Sequence, residues 1–75
     1  MKAKELVKNL MVEQEMTNAK MASALGVSQA TLWDRLNPKK SNNMTITTLN
    51  TMLSQLGYEL VAKEKDGNKE YVLSE

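Results

Sequence analysis

The amino-acid sequence predicts a mainly α fold: four short helices over residues 1–57, then a C-terminal β-hairpin or strand extension over residues 58–75. Three observations predict it. Apolar residues recur at helical spacing in four segments before Gly57. Thr17, Ser28 and Thr45 stand as hydroxyl N-caps between those segments, and Gly26 and Gly57 as helix terminators. Beyond Gly57 the period shortens to two, and Asp66-Gly67 is a hairpin turn signal.

The first helix is expected over residues 2–14, where Ala3, Leu6, Val7, Leu10 and Met11 form an apolar face opposite Lys and Glu. Thr17 opens the second, whose Met21, Ala22 and Leu25 turn inward until Gly26. Ser28 opens the third, over residues 29–36, with Leu32 and Leu36 one turn apart and Val27 packing from the turn. Asn37-Pro38 stops that helix, because proline disfavours helical geometry in the residue before it. Residues 39–44 read as a polar loop. Thr45 caps the fourth helix, with Ile46, Leu49, Met52, Leu53 and Leu56 as its apolar stripe. Tyr58, Leu60 and Ala62 then alternate with Glu59, Val61 and Lys63, and Tyr71, Val72 and Leu73 supply a return strand. A lone two-stranded hairpin is marginal in water, so this one is expected to lie on the helices or to pair with another chain.

Composition narrows the chemistry. With 75 residues there is room for one small core, and without Phe it must be built from Leu, Met, Val and Ala. The six Met residues read as core filler. There is no Cys and no His, which removes disulfides, thiol nucleophiles, imidazole bases and the usual zinc ligands. Glu13 and Glu15, two apart, point to different helix faces and cannot act as an acid/base pair. Neither catalysis nor a metal or cofactor is expected.

The net charge is +1, but it is divided unevenly. Residues 1–40 hold seven cations against four acids, giving +3, and residues 41–75 three against five, giving −2. A mildly basic first half suits phosphate contact. No apolar run approaches membrane-spanning length, and Lys8 and Asn9 interrupt the N-terminal one. A cytoplasmic location without a membrane partner is expected.

Residues 17–36 carry the functional signal: two amphipathic helices joined by a tight turn at Gly26. In that layout one helix braces the other in the DNA major groove. With Leu32 and Leu36 facing the core, Gln29, Ala30, Trp33, Asp34 and Asn37 fall outward. The Gln29 carboxamide can donate and accept together at an adenine edge, Ala30 can touch a thymine methyl, and Asp34 can accept from a cytosine amino group. Ser28 and Thr31 suit phosphate, as do Thr17 and Asn18 at the start of the bracing helix. Lys39, Lys40, Asn42 and Asn43 can hold the next stretch of backbone. Each has a plainer reading: Thr17 and Ser28 cap helices with or without DNA, and Gln29, Asp34, Lys39 and Lys40 suit a solvated surface. Trp33 either lies half-buried against the first or fourth helix or packs along the DNA backbone.

Met21-Ala22, Leu25-Gly26-Val27-Ser28 and Thr31-Leu32 resemble the helix-turn-helix of the Cro-type (XRE family) regulators, which include phage repressors and many antitoxins. The resemblance covers roughly residues 3–57 and implies a lambda-repressor-like four-helix DNA-binding domain. By that likeness Asn18 takes a phosphate-binding position and Gln29, Ala30 and Asp34 base-reading ones. The chain departs from the family at Arg35-Leu36 and at Pro38, where the family carries Ile-Glu and Gly. Residues 58–73 resemble the strand extension of antitoxin-like members, which pairs across a two-fold axis. Tyr58, Leu60, Val61, Ala62, Tyr71, Val72 and Leu73 are accordingly the expected dimerisation residues. Two functions are expected from this: a homodimeric, phage- or bacterium-encoded regulator of double-stranded DNA, acting as a repressor, or an antitoxin whose strands hold a toxin protein.

Overall fold

A computed structural model describes residues 2–40 and 44–73. It contains four helices, α1 (Ala3–Glu13), α2 (Asn18–Leu25), α3 (Gln29–Leu36) and α4 (Ile46–Gln55), then strands β1 (Val61–Lys63) and β2 (Glu70–Val72). The expected Asn42 and Asn43 contacts lie outside the described residues.

Hydroxyl caps start three of the helices. Thr17, Ser28 and Thr45 each accept the backbone N–H three residues ahead, all at 3.1 Å. Each bond satisfies one of the four amides that a helix start leaves unpaired. Lys2 precedes α1 without a side-chain cap.

Three of the four helix ends share one device. At Gly26 (φ 70°) the amide of Gly26 reaches Ser23 O, and that of Val27 reaches back to Ala22 O at 3.0 Å. At Gly57 (φ 82°) the same pair of bonds runs from Gly57 to Ser54 and from Tyr58 to Leu53. This is the Schellman motif, in which a left-handed residue reverses the chain. It also ends α1, although the residue there is Glu15 (φ 56°), with Met16 N bonded to Met11 O at 2.8 Å. Met16 and Val27, the residues after two of these reversals, both pack against the core. α3 ends differently: Asn37 is extended (φ −72°, ψ 116°) ahead of Pro38.

The core comprises Val7, Leu10 and Met11 of α1, Met21 and Ala22 of α2, Leu32 and Leu36 of α3, and Met52, Leu53 and Leu56 at α4 and its end. α3 packs on α1 and α2, and α4 packs on the same two helices. Gln14 Nε2 donates to Leu56 O at 2.7 Å, tying the end of α1 to the end of α4. One expected core member is corrected: Ile46 is 66% exposed. It opens α4 about 70° around the helix from the centre of the Leu49–Met52–Leu53–Leu56 stripe, given about 100° per residue.

β1 and β2 pair antiparallel, with Val61 opposite Val72, Ala62 opposite Tyr71 and Lys63 opposite Glu70. The strands pair within the chain, and no Cα of either comes within 8 Å of a described helix; Leu60, at their base, packs on the core. The chain reverses at Asp66-Gly67, as expected, through a longer connection than a two-residue turn. Glu64 N bonds to Lys69 O at 2.9 Å, so four residues, Lys65 to Asn68, make the connection, and none has a positive φ. A two-residue type I′ turn would need positive φ at both central positions.

The left-handed positions set opposite expectations. A non-glycine residue there costs about 1–2 kcal/mol. Gly26 has open space around a would-be Cβ, so Gly26→Ala tests the backbone alone. It should lower the unfolding free energy by about 1 kcal/mol, while Glu15→Gly should raise it by up to about 1 kcal/mol. Both are read by denaturant unfolding monitored by circular dichroism.

Candidate nucleic-acid interface

α2 and α3 are eight residues each and are joined by Gly26, Val27 and Ser28. Because Val27 and Leu25 pack inward, the turn is seated on the core and α3 leaves it in one direction. Leu32 and Leu36 bury one side of α3, and Gln29, Ala30, Trp33 and Asp34 are exposed on the other, as the helical period requires. Gln29 and Trp33 are one turn apart on that face, whereas Asn37, expected outward with them, is half-buried just beyond the end of α3, where the chain turns extended ahead of Pro38.

The hydroxyls at the helix starts are partly committed. Ser28 Oγ accepts from Thr31 N and donates to Thr31 Oγ1 at 2.9 Å, which leaves the Thr31 hydroxyl hydrogen for an outside acceptor. Thr17 Oγ1 accepts from Lys20 N, and its own hydrogen is likewise available. Thr17, Asn18 and Ala19 are all exposed, so the first amides of α2 stand beside solvent.

The exit from α3 is built more tightly than its polar sequence suggests. Asn37 Oδ1 accepts from Lys39 N at 3.0 Å, and Lys40 N bonds to Asn37 O at 3.2 Å, closing a turn. Lys4, on the first turn of α1, donates through Nζ to Asn37 O at 3.0 Å and to Lys40 O at 3.3 Å. Lys39 and Lys40 are thereby held beside the exposed face of α3. Lys40 Nζ lies 3.9 Å from Asp34 Oδ1, with both side chains more than half exposed. Such a pair contributes little to stability. It does partly neutralise the one acid on the exposed face of α3.

No family model, curated protein or solved structure matches this chain. The surface presents polar groups of three kinds. It offers carboxamides at Gln29, Asn18 and Asn37, hydroxyls at Thr17 and Thr31, and ammonium groups at Lys39 and Lys40. Among the described residues there is no cluster of three or more His, Cys, Asp or Glu that could hold a metal. None of the described helices is long and apolar enough to cross a membrane.

Trp33 is 59% exposed and leans toward α1 rather than α4. It forms one wall of a groove of about 260 Å³ with Lys8, Val12, Met16, Asn18 and Asn37. Sequence reasoning missed Lys4 and Lys8, which lie on α1, outside the helix pair that carries the motif. The available signal was position: Lys8 and Val12 are four apart and share a flank of α1 beside its apolar face.

The strand residues are placed apart from this surface. Tyr58, Val61, Ala62, Tyr71, Val72 and Leu73 are exposed, and Leu60 is half-buried at the base of the hairpin.

The Lys4 clamp has a direct test. Lys4→Met should cost about 1 kcal/mol in unfolding free energy, the ordinary net value of a hydrogen bond. It should also speed hydrogen exchange at the Lys40 amide. Unchanged exchange there would mean that the turn stands without the clamp. Asp34→Asn should shift stability by less than about 0.5 kcal/mol.

Proposed function

We propose that the chain is a sequence-specific, double-stranded DNA-binding transcriptional regulator, a repressor that works as a homodimer. In this reading the four helices form a lambda-repressor-like domain with α3 in the major groove and α2 across the backbone. The observation that carries the reading is the exposed face of α3. Gln29, Ala30 and Asp34 are presented on a short helix braced by α2 through a three-residue turn. Gln29 reads an adenine edge, Ala30 a thymine methyl and Asp34 a cytosine amino group, with Lys40 tempering the last. Thr17, Asn18, Ser28 and Thr31 hold one stretch of phosphates, and Lys39 and Lys40 the next.

The strands supply the second copy. A two-stranded hairpin with both faces bare is marginal alone, and this one carries Val61 and Val72 on one face and Ala62 and Tyr71 on the other. Pairing with its equivalent in another protomer extends the sheet and covers those side chains. The same bare faces support a second reading, in which the strands hold a toxin protein and DNA binding autoregulates the operon. A toxin-like reading frame beside the gene, and a stable complex with its product, would favour that reading.

Selection of bound duplexes from a random pool should return paired half-sites centred about 34 Å apart. Gln29→Ala should then cost about 1–3 kcal/mol at one base position of each half-site and little elsewhere. A pool that shows no enrichment at low salt would overturn the regulator. A chain truncated after Gly57 should sediment as a monomer; if it stays dimeric, the strands are not the dimer contact.

A further inference from the structure

Of the residues lining the groove beside Trp33, the proposed phosphate contacts use only Asn18. The groove's apolar part is formed by Met11, Val12, Met16, Trp33, Leu36 and Pro38, and its polar rim by Lys8, Asn18 and Asn37. Lys8 is the one charged residue on this lining, so the groove is cationic without an opposing acid. Val12 is 78% exposed and Trp33 59%, which leaves two large apolar side chains uncovered on its walls. An occupant must therefore have an apolar face and an anionic group within one small unit. Deoxyribose phosphate has that composition: a ring of C–H bonds joined to a charged phosphate.

We propose that this groove seats a sugar–phosphate unit of the duplex backbone, with the deoxyribose against the Trp33 indole and the phosphate at Lys8 and Asn18. The proposal rests on the DNA-binding reading and adds a contact from α1 to it. Charge complementarity favours this occupant, since Lys8 supplies the cation and the rim carboxamides supply neutral N–H donors. Position favours it too. Asn18 opens α2, whose first amides face solvent at the same place, and Trp33 follows Gln29 by one turn on the same row of α3. A backbone seated at Trp33 sets how deeply Gln29 enters the major groove. Lys8 is thus a phosphate contact, and Trp33 a contact that positions the reading helix.

Trp33 is the single tryptophan of the chain, so its fluorescence reports on the groove directly. The experiment titrates the full chain with its selected duplex over a range of salt concentrations, alongside Lys8→Met, Trp33→Ala and Gln29→Ala. Both groove side chains are exposed, and circular dichroism checks that the variants fold. The duplex should change Trp33 emission in wild type. Lys8→Met should weaken specific and random duplexes alike and reduce the slope of log K against log salt by about 0.9, the value for one phosphate contact. Trp33→Ala should lose about tenfold in affinity, within the range seen for aromatic contacts to nucleic acid, and keep the slope. Duplex binding that depends on Gln29, with Trp33 emission and the Lys8→Met slope both unchanged, would overturn the groove contact and leave the DNA reading standing. Failure to bind any duplex would overturn both. Emission that shifts with protein concentration alone, and not with duplex, would assign the groove to a second copy and overturn the proposal.

Discussion

Chain reversal in the left-handed conformation is the constraint on which the rest of this small protein depends. Helices of eight to eleven residues cannot stand alone in water, and each must present its apolar face to the others. The reversals at Glu15, Gly26 and Gly57 make that possible. Each one satisfies helix-end carbonyls and sends the chain back, and the first two place an apolar residue against the core. The core that results contains no aromatic ring. Met21, Leu32, Met52 and Val7 fill its most enclosed positions. Unbranched methionine suits such a site, because three rotatable bonds let it fill irregular gaps between short helices.

The proposed interface follows from the same constraint. The turn at Gly26 starts α3 directly after the end of α2, and the hydroxyl-capped starts of both helices and Gln29 are exposed. The opposite end of α3 has no left-handed residue. Pro38 keeps Asn37 extended, and order there comes from side chains: the Asn37 carboxamide and the Lys4 ammonium. One end of the exposed α3 face is thus held by local backbone geometry, the other by a contact between residues 33 positions apart.

That difference explains what was legible beforehand. Thr17, Ser28 and Thr45 announce helix starts because capping needs only a hydroxyl and the next three residues. Gly26 and Gly57 announce ends for an equally local reason. Glu15 gives no such sign, since a glutamate carries no preference for positive φ, and its conformation is imposed by the packing of Met16. Asp66-Gly67 located the reversal between the strands but not its type, which depends on strand register. Ile46 matches the period of α4 yet lies uncovered, because periodicity says nothing of where neighbouring helices run. The outward direction of Trp33 was readable from α3 alone. Its groove was not, because α1 forms the other wall.

The isolation of the strands has a consequence for how the molecule opens. With no described helix Cα within 8 Å of β1 or β2 and both strands exposed, the hairpin is sparsely coupled to the helical body, and Leu60 is the link that packs on the core. Such sparse coupling favours two cooperative units rather than one. It also favours opening of the hairpin at lower free energy than the helices. Anything that adds a strand to it orders that unit alone and leaves the helical unit as it was.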